Sequence, residues 1–113
     1  MVDQTQALLL SIGLETTCLL GLGLARAWMP KREALTWLLA GMAATLVTHP
    51  FAWEFSITHT PTLTPEGKAL RIEGAVVLAE ALIYAAVLRQ KPQRAFVLSL
   101  VANGVSYGVG LLL

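Results

Sequence analysis

The chain has 113 residues, 56 % of them hydrophobic and only 13 % charged, with a mean hydropathy of +0.66 and a net charge of +1. Soluble domains carry about 25 % charged residues, so this sequence lacks the material for a solvated surface, and with no basic stripe it has no nucleic-acid footprint. Its one cysteine, Cys18, excludes an intramolecular disulfide, and the length has room for a single domain over 1–113.

The first apolar run, 6–29, follows "MVDQTQ", which holds Asp3 but no Lys or Arg. Signal peptides open on a basic segment, so a retained helix is expected, with its N-terminus outside. The second run, 34–55, follows "PKRE" and contains Pro50, which cannot donate to the carbonyl of Leu46. A helix ending at Thr48 would be about 15 residues, short of the ~20 that cross a bilayer. A kink near Pro50 is expected instead, the freed carbonyl being met by Thr48, water or a neighbouring helix. The third run, 70–88, follows "SITHTPTLTPEGK". Thr64 suits the N-cap, Pro65 the first turn and Glu66 the positive dipole end, so this helix should begin before its apolar part. The fourth run, 95–113, follows "RQKPQR", and Pro30 and Pro92 mark helix starts in the same way. The expected fold is an all-α membrane protein, four transmembrane helices in a small antiparallel bundle.

Lys and Arg in the short connections set orientation. Arg26, Lys31 and Arg32 fall in the first connection and Arg89, Lys91 and Arg94 in the third, so both termini are expected outside. Trp28 and Trp37 would then anchor one interface and Trp53 the other. The setting this implies is the plasma (inner) membrane of a prokaryote, with the lipid bilayer as solvent.

Within the runs, polar residues fall on single faces. Glu73 and Glu80, seven positions apart, share a face with Val77 and Tyr84. Ser11, Glu15 and Cys18 lie together on the first helix, Thr45, Thr48 and His49 on the second, and Ser99, Asn103, Ser106 and Gly110 on the fourth. Glu15, Glu80 and Asn103 sit near mid-depth; His49, Glu73, Ser106 and Tyr107 lie further out, and Glu54 and Arg71 near the outer interface. Small residues are spaced by four at Gly13, Thr17 and Gly21 and again at Gly104 and Gly108, a pattern that packs helices within one chain or, less often, between copies.

A charged side chain at a helix centre costs about 2.5–3.5 kcal/mol on insertion scales. No Lys or Arg lies at the depth of Glu15 and Glu80, which are therefore protonated, bound to a cation or hydrated. The plain alternative is that both are neutral and only fix helix register through hydrogen bonds with Asn103, Thr or each other. For the shallower Glu54, Glu73 and Arg71, an interfacial ion pair is an adequate account. His49 has two readings of equal weight, satisfying the backbone freed by Pro50 or relaying protons.

Three function classes fit these residues. In the leading one, Glu15, Glu80, Asn103, His49 and Glu73 bind and release protons or cations in transport, with Glu54, Arg71, Ser106 and Tyr107 as secondary members. In length, four spans and a glutamate midway along the first helix (Glu15), the chain resembles small multidrug-resistance transporters. That resemblance implies transport and a homodimer; Glu80, Glu73 and His49 depart from it. In the second class the same groups form an active site, similar in residue set to glutamate-type intramembrane CAAX proteases, although the paired-glutamate motif and spaced histidines of that family are absent. A divalent cation would then take Glu15, Glu80 and His49 as ligands. In the third class the chain is an accessory subunit of a larger membrane complex.

Overall fold

Capping chemistry sets where the helices begin. Asp3 accepts a hydrogen bond from the amide of Gln6 at 2.7 Å while Gln6 Oε1 accepts from the amide of Asp3 at 3.1 Å, a reciprocal box that starts α1 (Gln4–Ala25). Thr64 accepts from the amide of Gly67 at 3.0 Å and Pro65 takes the first position of α3 (Pro65–Val87). Pro30 precedes a short 3₁₀ turn, Lys31–Glu33, that leads into α2 (Ala34–Ile57), and Pro92 opens α4 (Pro92–Leu112). These elements come from a computed structural model that describes residues 3–58 and 61–112, and no strand occurs among those residues.

α1, α2 with its leading turn, and α4 are each long and apolar enough to cross a membrane. α3 has 23 residues but carries Glu66, Lys68, Arg71, Glu73 and Glu80, and these charges set it apart from the other three. α2 runs unbroken through Pro50 to Ile57, well past the possible stop at Thr48. The Thr48 hydroxyl does not serve the carbonyl of Leu46; it lies 3.0 Å from that of Ala44.

Consecutive helices pack against one another and α4 closes the ring against α1, within an envelope of 46 × 26 × 21 Å. The contacts give an up-down-up-down order. Gly23, late in α1, meets Trp37, early in α2, while Ser11, early in α1, meets Ser106, late in α4. The chain termini and the α2–α3 connection therefore share one end of the bundle, and the two other connections share the opposite end.

Side-chain size is distributed inside out relative to a soluble protein. Ala40, Gly41, Ala44, Ala95, Ser99 and Ala102 are buried between helices, whereas Leu82 is 73 % exposed, Phe51 75 % and Leu70 75 %. In water such a belt would be an aggregation surface. In lipid it is the expected arrangement, because helices there associate through close backbone approach rather than by hiding leucines.

The exceptions to small-inside packing are concentrated at the connection end. Leu19, Trp37, Tyr84 and Leu98 are fully buried and form its core with Leu88 and Met29. Trp37 was expected at an interface as an anchor, and it lies instead at 0 % exposure. Its ring fits because Gly23 faces it: a Cβ on Gly23 would sit 2.7 Å from Trp37 Cζ3 and 2.9 Å from Met29 Cβ. Trp28, only half-buried, does occupy that end, with the guanidinium of Arg26 5.8 Å and that of Arg94 5.4 Å from its ring.

The expectation that small residues pack helices within the chain also needs correction. A Cβ added to Gly13, Gly21, Gly104 or Gly108 would meet no described atom within 4 Å. These stripes point away from the bundle. Gly23 and Gly41 are the glycines that make close helix contacts.

Candidate functional site

On α3 the buried residues are Val77, Glu80 and Tyr84, three and four apart and thus one stripe facing the other helices. Glu80 is 0 % exposed. Its Oε1 accepts from the side-chain amide of Asn103 on α4 at 2.8 Å, and its Oε2 lies 2.7 Å from the hydroxyl of Thr48 on α2. Asn103 Nδ2 also donates to the carbonyl of Ser99 at 2.9 Å, and the Ser99 hydroxyl donates across to the carbonyl of Val77 at 2.7 Å. Three helices are thereby tied at one level through a single carboxyl group.

Counting hydrogens constrains that centre. The Thr48 hydroxyl has one hydrogen and lies near two oxygens, the Ala44 carbonyl at 3.0 Å and Glu80 Oε2 at 2.7 Å. Glu80 is the nearer of the two acceptors. Thr48 thus donates to Glu80 or to Ala44 at any one moment, and the carboxyl of Glu15 lies within side-chain hydrogen-bonding reach of the same centre.

Glu15 is different. It is 4 % exposed, its carboxyl lies within side-chain hydrogen-bonding reach of Glu80 and electrostatic reach of Glu73, and its Oε1 accepts from no N–H or hydroxyl among the described residues. An orphaned oxygen of this kind is uncommon and calls for a proton, water or ion to complete it. The helix around Glu15 explains its placement: Glu15, Thr16, Leu19 and Gly23 form the buried face of α1.

Glu15 also lines a partly open cavity of ≈ 500 Å³ that occupies the terminal end of the bundle. Thr45, Thr48 and Asn103 lie with Glu15 in its deeper part. Glu73, His49, Ser106 and Tyr107 line the part nearer the termini, with Ser11, Gly110 and the ring of Trp53. His49 stacks on Trp53, ring centres 6.2 Å apart, and its Nδ1 is buried without a partner among the described residues. The Ser106 and Ser11 hydroxyls stand 3.4 Å apart and span α4 to α1. The space exists because the residues between the polar groups are small: Ala52, Ala69 and Gly110 leave it unfilled.

Of the sequence candidates, Glu15, Glu73, His49, Asn103, Ser106 and Tyr107 line this cavity, and Glu80 is buried alongside it, joined to Thr48 and Asn103. Glu54 and Arg71 are not part of it. Both are exposed, and the ion pair expected between the shallow charges is not formed among the described residues; Arg71 lines a separate groove between α2 and α3. Sequence reasoning did not single out Thr48 as a partner of Glu80. Its signal was present, since Thr48 falls on the same α2 face as Thr45, one turn from Ala44 and Gly41 in the helix interface.

The metal expectation on Glu15, Glu80 and His49 is not supported. Among the described residues no three His, Cys, Asp or Glu side chains come together closely enough to hold an ion. What the arrangement offers chemically is a carboxyl group lining a cavity, with a second carboxyl fixed by hydrogen bonds beside it. Compared with protein-family models, curated proteins and solved structures, the chain matches none.

Proposed function

We propose that this chain is a small integral membrane protein that moves protons or cations through exchange at Glu15. All four helices span the bilayer in this reading. Both termini and the cavity mouth face outward, while Arg26, Lys31, Arg32, Arg89, Lys91 and Arg94 hold the other end at the cytoplasmic face of a plasma membrane. The observation that carries it is the unpartnered Glu15 Oε1 at the deep end of a cavity reachable from one side. Intramembrane ionisable groups that face a water-filled space are typical of ion and proton pathways.

The two mid-depth glutamates divide the work. Glu80 is held by Asn103 and Thr48 and keeps the bundle in register. Glu15, with an unused oxygen, exchanges its proton or binds a cation, and Glu73 and His49 line the way to it. The core of Trp37, Leu19 and Tyr84 forms the closed side. Passage to that side requires this packing to open, and discharge of the carboxyl supplies the bias between the two states.

The test is flux in liposomes. Parent protein should dissipate an imposed proton or monovalent-cation gradient, and Glu15→Gln should lower the rate to that of empty vesicles without loss of folded protein. Flux that survives Glu15→Gln would refute the assignment.

A second reading is assembly with other membrane helices. Gly13, Gly21, Gly104 and Gly108 face outward, with no described atom near the positions their Cβ atoms would take, and this favours close approach by another helix, including that of a second copy.

A further inference from the structure

Between α2 and α3, on the outer surface of the bundle, lies a second cavity, a groove of ≈ 520 Å³. Val47, Phe51 and Phe55 form one wall and Ala75, Val76 and Ala79 the other. The alanines explain the groove: the α3 side chains are too short to fill the gap beneath the phenylalanines. Arg71 is the one charged residue lining it. It sits eight residues before Ala79, so about 12 Å along the helix axis at 1.5 Å per residue, at the terminal end of the groove.

Two cations head this apolar trough. Arg71 is exposed and has no carboxylate partner among the described residues. Lys68, one turn earlier, holds its ammonium 5.6 Å from the centre of the Phe55 ring and donates to the carbonyl of Thr58. A guanidinium above a hydrocarbon surface is unmatched by an acyl chain alone and is matched by a phosphate, whose oxygens accept its forked donors. The volume lies within the roughly 300–1,000 Å³ of small-molecule sites. A second copy docking symmetrically here would place two Arg71 side chains at the same seam, where like charges repel.

We propose that this groove binds one anionic phospholipid, its acyl chain along Phe51, Phe55, Ala75 and Ala79 and its phosphate on Arg71 with Lys68 beside it. The site is independent of the exchange assigned to Glu15, yet adjacent to it. Thr48, Ala52, Ile72 and Val76 line both the groove and the acidic cavity, so the bound chain rests against the wall that holds the Thr48 contact to Glu80.

The test uses the full chain purified in detergent micelles, titrated with phosphatidylglycerol or phosphatidylcholine and followed by native mass spectrometry. The first phosphatidylglycerol should bind roughly fivefold more tightly than phosphatidylcholine, the factor expected for one basic residue near an anionic headgroup. Arg71→Gln should remove most of that preference while leaving chain binding. Ala79→Phe fills the groove and should weaken the first binding step for both lipids, with the headgroup preference of any residual binding retained. Equal affinity of the parent for the two lipids would overturn the proposal. So would an unchanged preference in Arg71→Gln, or ready disulfide crosslinking between copies of an Ala79→Cys variant in vesicles, which would make the groove a seam between chains.

Discussion

The same four helices pack densely at one end of the bundle and leave a cavity at the other. At the connection end, Trp37, Leu19, Tyr84 and Leu98 are fully buried and fill the interior. At the terminal end the inward positions hold Ser11, Thr45, Ala52, Glu73 and Gly110 around ≈ 500 Å³ of space. Glu15, Glu80 and Asn103 lie at the boundary between them. The difference lies in side-chain volume, since helix order and neighbours are common to both ends. Bulk at one end leaves no cavity, and small or polar residues at the other leave space that extends as far as Glu15 and Asn103. Even the filled end has loose polar atoms: Trp37 Nε1 and Tyr84 OH have no hydrogen-bond partner among the described residues.

Breaking the filled end should have the largest effect. Trp37→Ala removes the largest fully buried side chain, and aromatic-to-alanine changes in cores cost about 3–5 kcal/mol. The helix around it cannot collapse freely, because Gly23 and Met29 are shaped to its ring. Circular dichroism during detergent-induced unfolding should register the loss. A variant as stable as the parent would show that the tryptophan does not hold this end together.

Next in size is the tie at the boundary. Asn103→Ala removes the donor to Glu80 Oε1 at 2.8 Å and leaves a buried acceptor unpaired, a change of about 1–3 kcal/mol. If water reaches this level from the cavity, the measured loss should fall at the low end of that range, since water would take the place of the amide. The same unfolding assay therefore sharpens where the wet region stops.

The four helices, their proline and threonine starts, and the gathering of polar residues on inward faces were legible in the sequence, because period and cap chemistry are local. The placement of Trp37 was not: its position beside "PKRE" fits an interface, and only the distant Gly23 reveals a slot for it. The glycine stripes misled for the same reason. Spacing by four puts Gly104 and Gly108 on one face but does not say which way that face turns, and it turns outward. Glu15 and Glu80 were alike by depth and cost. What distinguishes them, hydrogen bonds to both oxygens of Glu80 and an Oε1 on Glu15 that accepts none, depends on Thr48 and Asn103, which belong to other helices. Arg71 was grouped with Glu54 by depth, yet both are exposed and form no ion pair among the described residues, while Arg71 lines a groove between α2 and α3.

The smallest effect on stability should come from Glu15, and that smallness is the informative result. Glu15→Leu removes a nearly buried carboxyl that accepts from no N–H or hydroxyl at Oε1 and whose one side-chain partner is Glu80, so less bonding is lost than at Glu80. Removing a poorly solvated polar group can even stabilise, because its desolvation cost is relieved. Glu80→Leu, made in parallel, strands both Asn103 and Thr48 and should cost several times more. That result would separate Glu15 from the architecture and leave the proposed exchange as its role. Equal destabilisation by the two leucine variants would mean that Glu15 also bears on the fold, and the contrast between a fixed carboxyl and an exchanging one would be lost.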